Sequence, residues 1–364
     1  MSLIPEYIKN LSPYKAGKPI EEVKRKHGFS QVIKLASNEN PLGPSLDSIA
    51  AIKDSLKDLA LYPDSSGYYL RQKLADKFDL EIDNVILGSG SEGIMSSIMR
   101  TFLNDGDCLL ATENSFIGFR VLANASGKKT NWIPMNNYKY DLEAMSKAIS
   151  SNTKIIYLAN PDNPTGSYFS KCEFDLFMKK VPSRCLVIID EAYFEFACSK
   201  EDYPDSMMYR YDNVITLRTF SKVYGLAGIR VGYGFANQKL ISHLMKVKLP
   251  FEPSSVAQSA ALAALNDIEH MDKTLKNNFC QMSLIEKTFK NRGLRFIESS
   301  ANFITVVFDS EHKAFVFCER FLKEGIILRH LKSFGLPKCV RVSLGTKQEM
   351  SIFITKLDIV LSKK

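Results

Sequence analysis

The chain has 364 residues, 45% hydrophobic and 24% charged, with 48 Lys and Arg against 40 Asp and Glu for a formal net charge of +8. That length carries a prior of two domains and buries a core without disulfides or metal, which excludes small staple-dependent scaffolds. Charges of both signs are interleaved with no block of one sign, which excludes a nucleic-acid arm or an acidic tail and leaves a mild attraction for anions.

In chain order, MSLIPEYIKN carries Pro5 and Glu6 where a signal peptide needs an apolar run, and no stretch reaches the roughly 18 apolar residues of a membrane span. The expected location is the cytoplasm. Residues 1–40 mix Pro, Gly and charge without sustained periodicity and read as an arm that packs on something else. From about residue 85, short apolar runs alternate with longer amphipathic stretches. The runs are VILGSG (85–90), CLLATE (108–113), TNWIPM (130–135), KIIYLAN (154–160), CLVIIDEAY (185–193), VITLRTFS (214–221) and VGYGFA (231–236). Their apolar character is continuous, as in strands buried on both faces. After the first run, SEGIMSSIMRTFL places Ile94, Met95, Ile98, Met99 and Phe102 on one helical face, a core stripe. The alternation predicts an α/β fold with a mainly parallel, seven-stranded sheet sandwiched by helices.

Past residue 250 the rhythm changes. FIESSANFITVVF, HKAFVFCERFLKEG, IILRHL, KCVRVSLG and KQEMSIFITKLDIVLSK predict a smaller α+β domain, and LPFEPSS marks the boundary. The expected division is an N-terminal arm at 1–40 joining the small domain, a large domain at 41–250 and a small domain at 251–364. Seven cysteines, an odd number with no C-x-x-C, read as reduced thiols. The five histidines are scattered without ligand spacing, so no metal is expected.

GSGSEG (88–93) matches the dinucleotide fingerprint G-x-G-x-x-G, follows a strand and opens a helix, with Glu113 at the end of the next strand. A glycine turn feeding a helix N-terminus binds phosphate of any kind, so the motif leaves the cofactor undecided. Three further segments lie just past predicted parallel strands, where open α/β sheets place ligands: NPDNPTG (160–166), IIDEAY (188–193) and TFSKVYGLAGIR (219–230). Singly, they are compatible with turn chemistry, a helix N-cap and a solvated lysine. Their order and setting together are more specific.

With these motifs the chain resembles the fold-type I aminotransferases that use pyridoxal 5'-phosphate (PLP), and within them the histidinol-phosphate aminotransferase family. The resemblance extends to SPYKAGKPIEEVKRKHG (12–28), KLASNENPLGPS (34–45), YPDSSGYYLRQKLA (62–75), GIILRHL (325–331) and VRVSLGT (340–346). It implies that Lys222 supplies the amine that attaches the cofactor and later carries a proton, its basicity tuned by burial beside a cationic ring. Asp190 would keep the ring nitrogen protonated, while Asn163 and Tyr193 would hydrogen-bond the phenolic oxygen. The phosphate would take the backbone amides of Ser91 and Glu92, the hydroxyls of Thr219 and Ser221, and the planar fork of Arg230. Phe116 falls where the family stacks an aromatic residue on the ring, without the hydroxyl of the Tyr found in many relatives.

For the substrates the resemblance implies Arg341 and Arg329 as anion-binding arginines, with Tyr14, Asn40, Tyr62 and Asn163 beside them. Tyr62 would reach the neighbouring subunit's site and bind cofactor as well as substrate there, implying a homodimer with shared active sites. The expected reaction transfers an amino group between L-histidinol phosphate and 2-oxoglutarate, a step of histidine biosynthesis, without nucleic-acid or membrane partners. The rivals on the same scaffold are an aromatic amino acid aminotransferase and a threonine-phosphate decarboxylase. GSGSEG alone would suggest an NAD(P)-dependent oxidoreductase. A DNA-binding regulator of this fold would need a helix-turn-helix module that the short arm does not supply.

Overall fold

The computed structural model describes residues 2–13 and 17–362. Its strands in chain order are β1 (Ile33–Lys34), β2 (Val85–Gly88), β3 (Cys108–Thr112), β4 (Lys129–Ile133), β5 (Thr153–Ala159), β6 (Leu186–Asp190), β7 (Val214–Thr219), β8 (Gly232–Ala236), β9 (Phe296–Ile297), β10 (Phe303–Val307), β11 (Ile326–Ile327), β12 (Arg329–His330) and β13 (Cys339–Ser343). The seven continuous apolar runs form one sheet in the order β2-β8-β7-β6-β5-β3-β4. All its pairings are parallel except the two made by β8. This is the mainly parallel α/β sheet expected from the sequence.

Every residue of β2, β6 and β7 is buried, because both faces are covered. Ile86 packs into a cluster with the helices Gly90–Phe102 and Gln238–Val247. Its neighbours Val85 and Leu87 point the other way, into a cluster with Tyr68–Phe78 and Ser255–Asn266. In Gly90–Phe102 the expected stripe is buried through Ile94, Met95, Ile98 and Met99, while Phe102 lies half-buried at the end.

The second sheet, in the order β12-β13-β10-β9, is antiparallel throughout. Helices Ile268–Asn291, Glu311–Lys323 and Lys347–Ser362 cover it, with Phe321 stacked on Phe353 at 4.8 Å. The arm adds β1 alongside β11 in parallel and buries Leu35 in this core. Val23, on the helix Ile20–His27, packs on Leu322 and Ile327. On chain order we propose an arm at 1–40, a large unit at 41–250 and a small unit at 251–364, with one exchange across the last boundary. Ser255–Asn266 buries Ala257, Ala260, Ala261 and Ala264 against the large unit, beside Leu46–Ser55.

Register fixes where the polar ends of the runs meet. Ala159 is level with Asp190 and Asp190 with Leu217, while Gly88 and Thr219 both pair with Gly232. GSGSEG, NPDNPTG, IIDEAY and TFSK therefore leave the same edge of the sheet side by side.

Candidate active site

A cavity of about 560 Å³ opens at this edge. Ser91, Glu92, Phe116, Asn163, Asp190, Tyr193, Thr219, Ser221, Lys222 and Arg230 all line it, so every residue expected to bind the cofactor except Tyr62 converges on one space. Phe116 stands at the N-terminus of Ile117–Ala125, whose Val121 and Leu122 add apolar wall.

At one end the helix Gly90–Phe102 presents its N-terminus with no side-chain cap, so its first amides are available to an anion. Thr219 Oγ1 donates to Ser221 Oγ at 3.0 Å, and Arg230 Nη1 lies 3.4 Å from the same oxygen. Glycine is required here at two positions: Gly90 takes a left-handed φ of 72°, and a Cβ at Gly232 would stand 2.5 Å from the Ser91 nitrogen. Arg230 itself takes a left-handed φ of 56°, and its Nη2 pairs with Glu92 at 3.2 Å. Amides, two hydroxyls and a guanidinium thus converge as a phosphate cradle.

Asp190 closes the deep end of the cavity. Only 4% exposed, its carboxylate accepts from Tyr157 Oη at 2.8 Å and from the Ala192 amide at 3.2 Å. Burial pushes it up to about 7 against these two bonds, with Glu92 adding a small upward push and Lys222 a small downward one. A carboxylate held this way is poised for a cationic partner, and the protonated nitrogen of a PLP ring is one. Lys222 Nζ lies 5.5 Å from the centre of the Tyr193 ring, and Tyr193 Oη accepts from Asn38 Nδ2 at 2.9 Å. An amine, a buried acid, a phenol and a phosphate cradle along one cavity fit PLP.

Behind Asn163 stands Arg341, buried, donating to Asn163 Oδ1 and, at 2.8 Å, to the Ala36 carbonyl. Its guanidinium lies over Phe303 and Phe334. Arg329 is opposite it in register, also buried, with Phe334 beneath and Ser333 at 3.4 Å. Asn40 does not line the cavity: its amide donates to the Val223 carbonyl at 2.8 Å and to Thr274 Oγ1 at 3.1 Å, fastening the segment just after Lys222. Tyr62 lies away from the cavity too, 80% exposed and stacked on Phe251 at 4.3 Å. Tyr14 lies outside the described residues.

Several supporting residues escaped the sequence reading. Tyr157, stacked on Phe119 at 4.0 Å, carries the bond to Asp190. Asp162, fully buried, accepts from Ser115 Oγ at 2.6 Å and Thr165 Oγ1 at 2.8 Å, which pins the loop that presents Asn163. Burial pushes Asp162 up to about 6. Glu191 and Arg218 form a buried ion pair at 2.7 Å under the Asp190 turn. The available signal was a polar residue inside an apolar run, as Tyr157 is in IIYLA and Arg218 in VITLRT.

Residues 30–357 match the family model described as aminotransferase class I and II. The chain is 41% identical to histidinol-phosphate aminotransferase 1 of Psychrobacter arcticus, over 100% of this chain and 97% of the relative. It is 39% identical to the histidinol-phosphate aminotransferase of Moorella thermoacetica, over 98% and 92%. Among solved structures, histidinol-phosphate aminotransferase from Sinorhizobium meliloti in complex with pyridoxal-5'-phosphate superposes with a TM-score of 0.90 at 28% identity, covering 99% of this chain and 98% of the other. Aspartate aminotransferase from Thermus thermophilus with maleate shares the fold, with a TM-score of 0.83 at 18% identity over 99% and 100% of the two chains.

Proposed function

The chain belongs to the class I and II aminotransferase family, and from that premise we propose that it exchanges an amino group between L-histidinol phosphate and 2-oxoglutarate. The products are imidazole-acetol phosphate and L-glutamate, the cofactor is PLP, and the pathway is histidine biosynthesis. The observation that carries the reading is the single cavity joining Lys222, Asp190 and the phosphate cradle, with Arg341 behind Asn163. Relatives of the same name at 38–41% identity over nearly the whole chain support the substrate.

PLP, when bound, supplies the carbonyl carbon that takes up the amino group and the electron-accepting ring that lowers the barrier to proton loss at the substrate carbon. The chain's residues do the rest. Arg230, Thr219, Ser221 and the amides of Gly90–Phe102 hold the phosphate and set the ring's depth. Asp190 would stand as counter-charge to the ring nitrogen and keep it protonated, and Tyr157 and the Ala192 amide fix its orientation. Asn163 and Tyr193 would hydrogen-bond the phenolic oxygen, and Phe116 would hold the ring from one side. Lys222 Nζ would take the proton from the substrate Cα and hold it for return, as the single acid-base group of both half-reactions. Arg341 and Arg329 hold the anionic end of each substrate, phosphate in one case and carboxylate in the other.

The same reading makes the enzyme a homodimer in the cytoplasm. Leu59, Leu61, Tyr62, Tyr69 and Phe251 are exposed large apolar side chains, and Tyr62 stacks on Phe251. Exposed aromatic pairs of this kind favour burial against a partner. The family resemblance implies that Tyr62 then reaches its neighbour's site. No helix among the described residues is long and apolar enough to cross a membrane.

The test is a visible absorbance spectrum of the purified protein with PLP, followed by L-histidinol phosphate and then 2-oxoglutarate. The expected result is a band of lysine-bound cofactor that bleaches with the first substrate and returns with the second. A band that answers only to phenylalanine or tyrosine would remove the substrate, and no band at all would remove the cofactor.

A further inference from the structure

Asn38 belongs to the arm, is 1% exposed, and takes a left-handed φ of 56° that Asn tolerates better than most residues. Three bonds from the small unit hold it. Its backbone N–H donates to Ser343 Oγ at 2.8 Å, Ser343 Oγ donates to Asn38 Oδ1 at 2.8 Å, and Asn302 Nδ2 donates to the Asn38 carbonyl at 3.0 Å. This accounting fixes the amide. With Oδ1 taken by the Ser343 proton, Nδ2 is the atom left facing Tyr193, 2.9 Å from its hydroxyl. The reverse orientation would give Ser343 Oγ two donors and leave its own proton without this acceptor.

A phenol that accepts from an amide keeps its own proton for a different acceptor. Tyr193 is further restrained by an edge-on contact with Phe303 at 5.4 Å, and it lines the cavity together with Asn163 and Lys222. We propose that Asn38 is a positioning residue for Tyr193: by occupying the hydroxyl's lone pair it directs the phenolic proton into the cavity, making Tyr193 a donor to the cofactor's phenolic oxygen. Asn38 is anchored on Ser343, the last residue of β13, and Asn302, just before β10, so this donation depends on the small unit staying seated on the Tyr193 turn. The inference rests on the PLP reading above.

The readout is the pH midpoint of the visible band of PLP-loaded protein, which reports the proton on the Lys222 linkage. A donor to the phenolic oxygen favours the proton-free form, so losing the donor raises the midpoint. Charged groups of the same cavity, Lys222, Asp190, Glu92 and Arg230, with Arg341 behind Asn163, are unchanged in every variant used. Asn38→Gly tolerates the backbone conformation and removes the amide without adding charge; its midpoint rises by about 0.5 to 1 pH unit, the size of one neutral hydrogen bond. Ser343→Ala, which frees the amide to turn, shifts it in the same direction by less and serves if the glycine variant does not fold. In a Tyr193→Phe background neither substitution shifts the midpoint further. Wild-type midpoints in both variants, or equal shifts with and without the Tyr193 hydroxyl, would overturn the role of Asn38 alone. A wild type that shows no visible band after PLP is added would overturn the cofactor reading itself.

Discussion

Replacing Asp190 with Asn should stabilise the cofactor-free protein at neutral pH while disabling it. Without a ring cation beside it, burial pushes Asp190 from its ordinary 3.8 up to about 7. An acid raised in the folded state binds its proton more tightly there than in the unfolded chain. Its contribution is therefore full below about pH 4 and is lost as pH climbs through about 7. The difference of roughly three pH units corresponds to about 4 kcal/mol at pH 8, accumulating at up to about 1.4 kcal/mol per pH unit. The substituted asparagine side chain can accept from Tyr157 but then presents its amide to the Ala192 N–H, a loss of about 1 to 2 kcal/mol that does not vary with pH. Urea denaturation of both proteins without cofactor, from pH 5 to 8, measures the difference, and Asp162 and Glu195, also raised by burial, cancel between them. The variant gains on the wild type as pH rises to about 7 and the gap is flat above. Adding PLP should reverse the ranking, since a ring cation restores a partner to the aspartate and not to the asparagine. A stability difference independent of pH would refute the account of Asp190 as a carboxylate held for a cation.

Lys222→Ala should lower turnover by at least about 10³-fold while PLP still binds noncovalently through the cradle and Asp190, checked by equilibrium dialysis. Arg341→Ala should raise KM for both histidinol phosphate and 2-oxoglutarate by about 10- to 100-fold; an effect on one substrate only would refute a shared anion site. Mixing inactive Lys222→Ala subunits with Tyr62→Ala subunits should restore activity in roughly a quarter of the sites, since mixed dimers rebuild one complete site each, and no recovery would refute the dimer as drawn.

The large sheet was legible because its strands are buried on both faces, leaving apolar runs that only the polar strand ends interrupt. Those ends are the site, so Asn163, Asp190, Thr219 and Lys222 could be read together with the fold. Contacts across long sequence separations were not legible. Asn38 meets Ser343 across 305 positions, and neither residue differs in kind from an ordinary loop or strand-end residue. The helix Ile268–Asn291 gave little sequence signal for a related reason: its buried face includes Thr274, Gln281 and Thr288, so the apolar stripe is thin. Tyr62 shows the remaining difficulty, since its surface position gains meaning only through a second chain.

The ion pair beneath the site explains how two motifs far apart in sequence keep their relative position. Glu191 follows Asp190, Arg218 precedes Thr219, and their side chains meet at 2.7 Å with neither above 1% exposed. Asp205 joins the same guanidinium at 2.8 Å, and the Phe194 ring lies 3.3 Å from it. Buried ion pairs are weak evidence of net stability against a well-packed apolar substitute, but removing one partner from such a pair costs about 3–5 kcal/mol. What the pair supplies is registration. The Glu191 amide donates to the Leu217 carbonyl at 2.8 Å, so side chains and backbone lock the turn bearing Asp190 and Tyr193 to the segment bearing Thr219, Ser221 and Lys222. The acid at the ring end, the two cradle hydroxyls at the phosphate end and the lysine between them in function are thus carried on one strand pair, the cradle's amides and Arg230 come from beside β2 and β8, and the substrate arginines arrive from the other sheet.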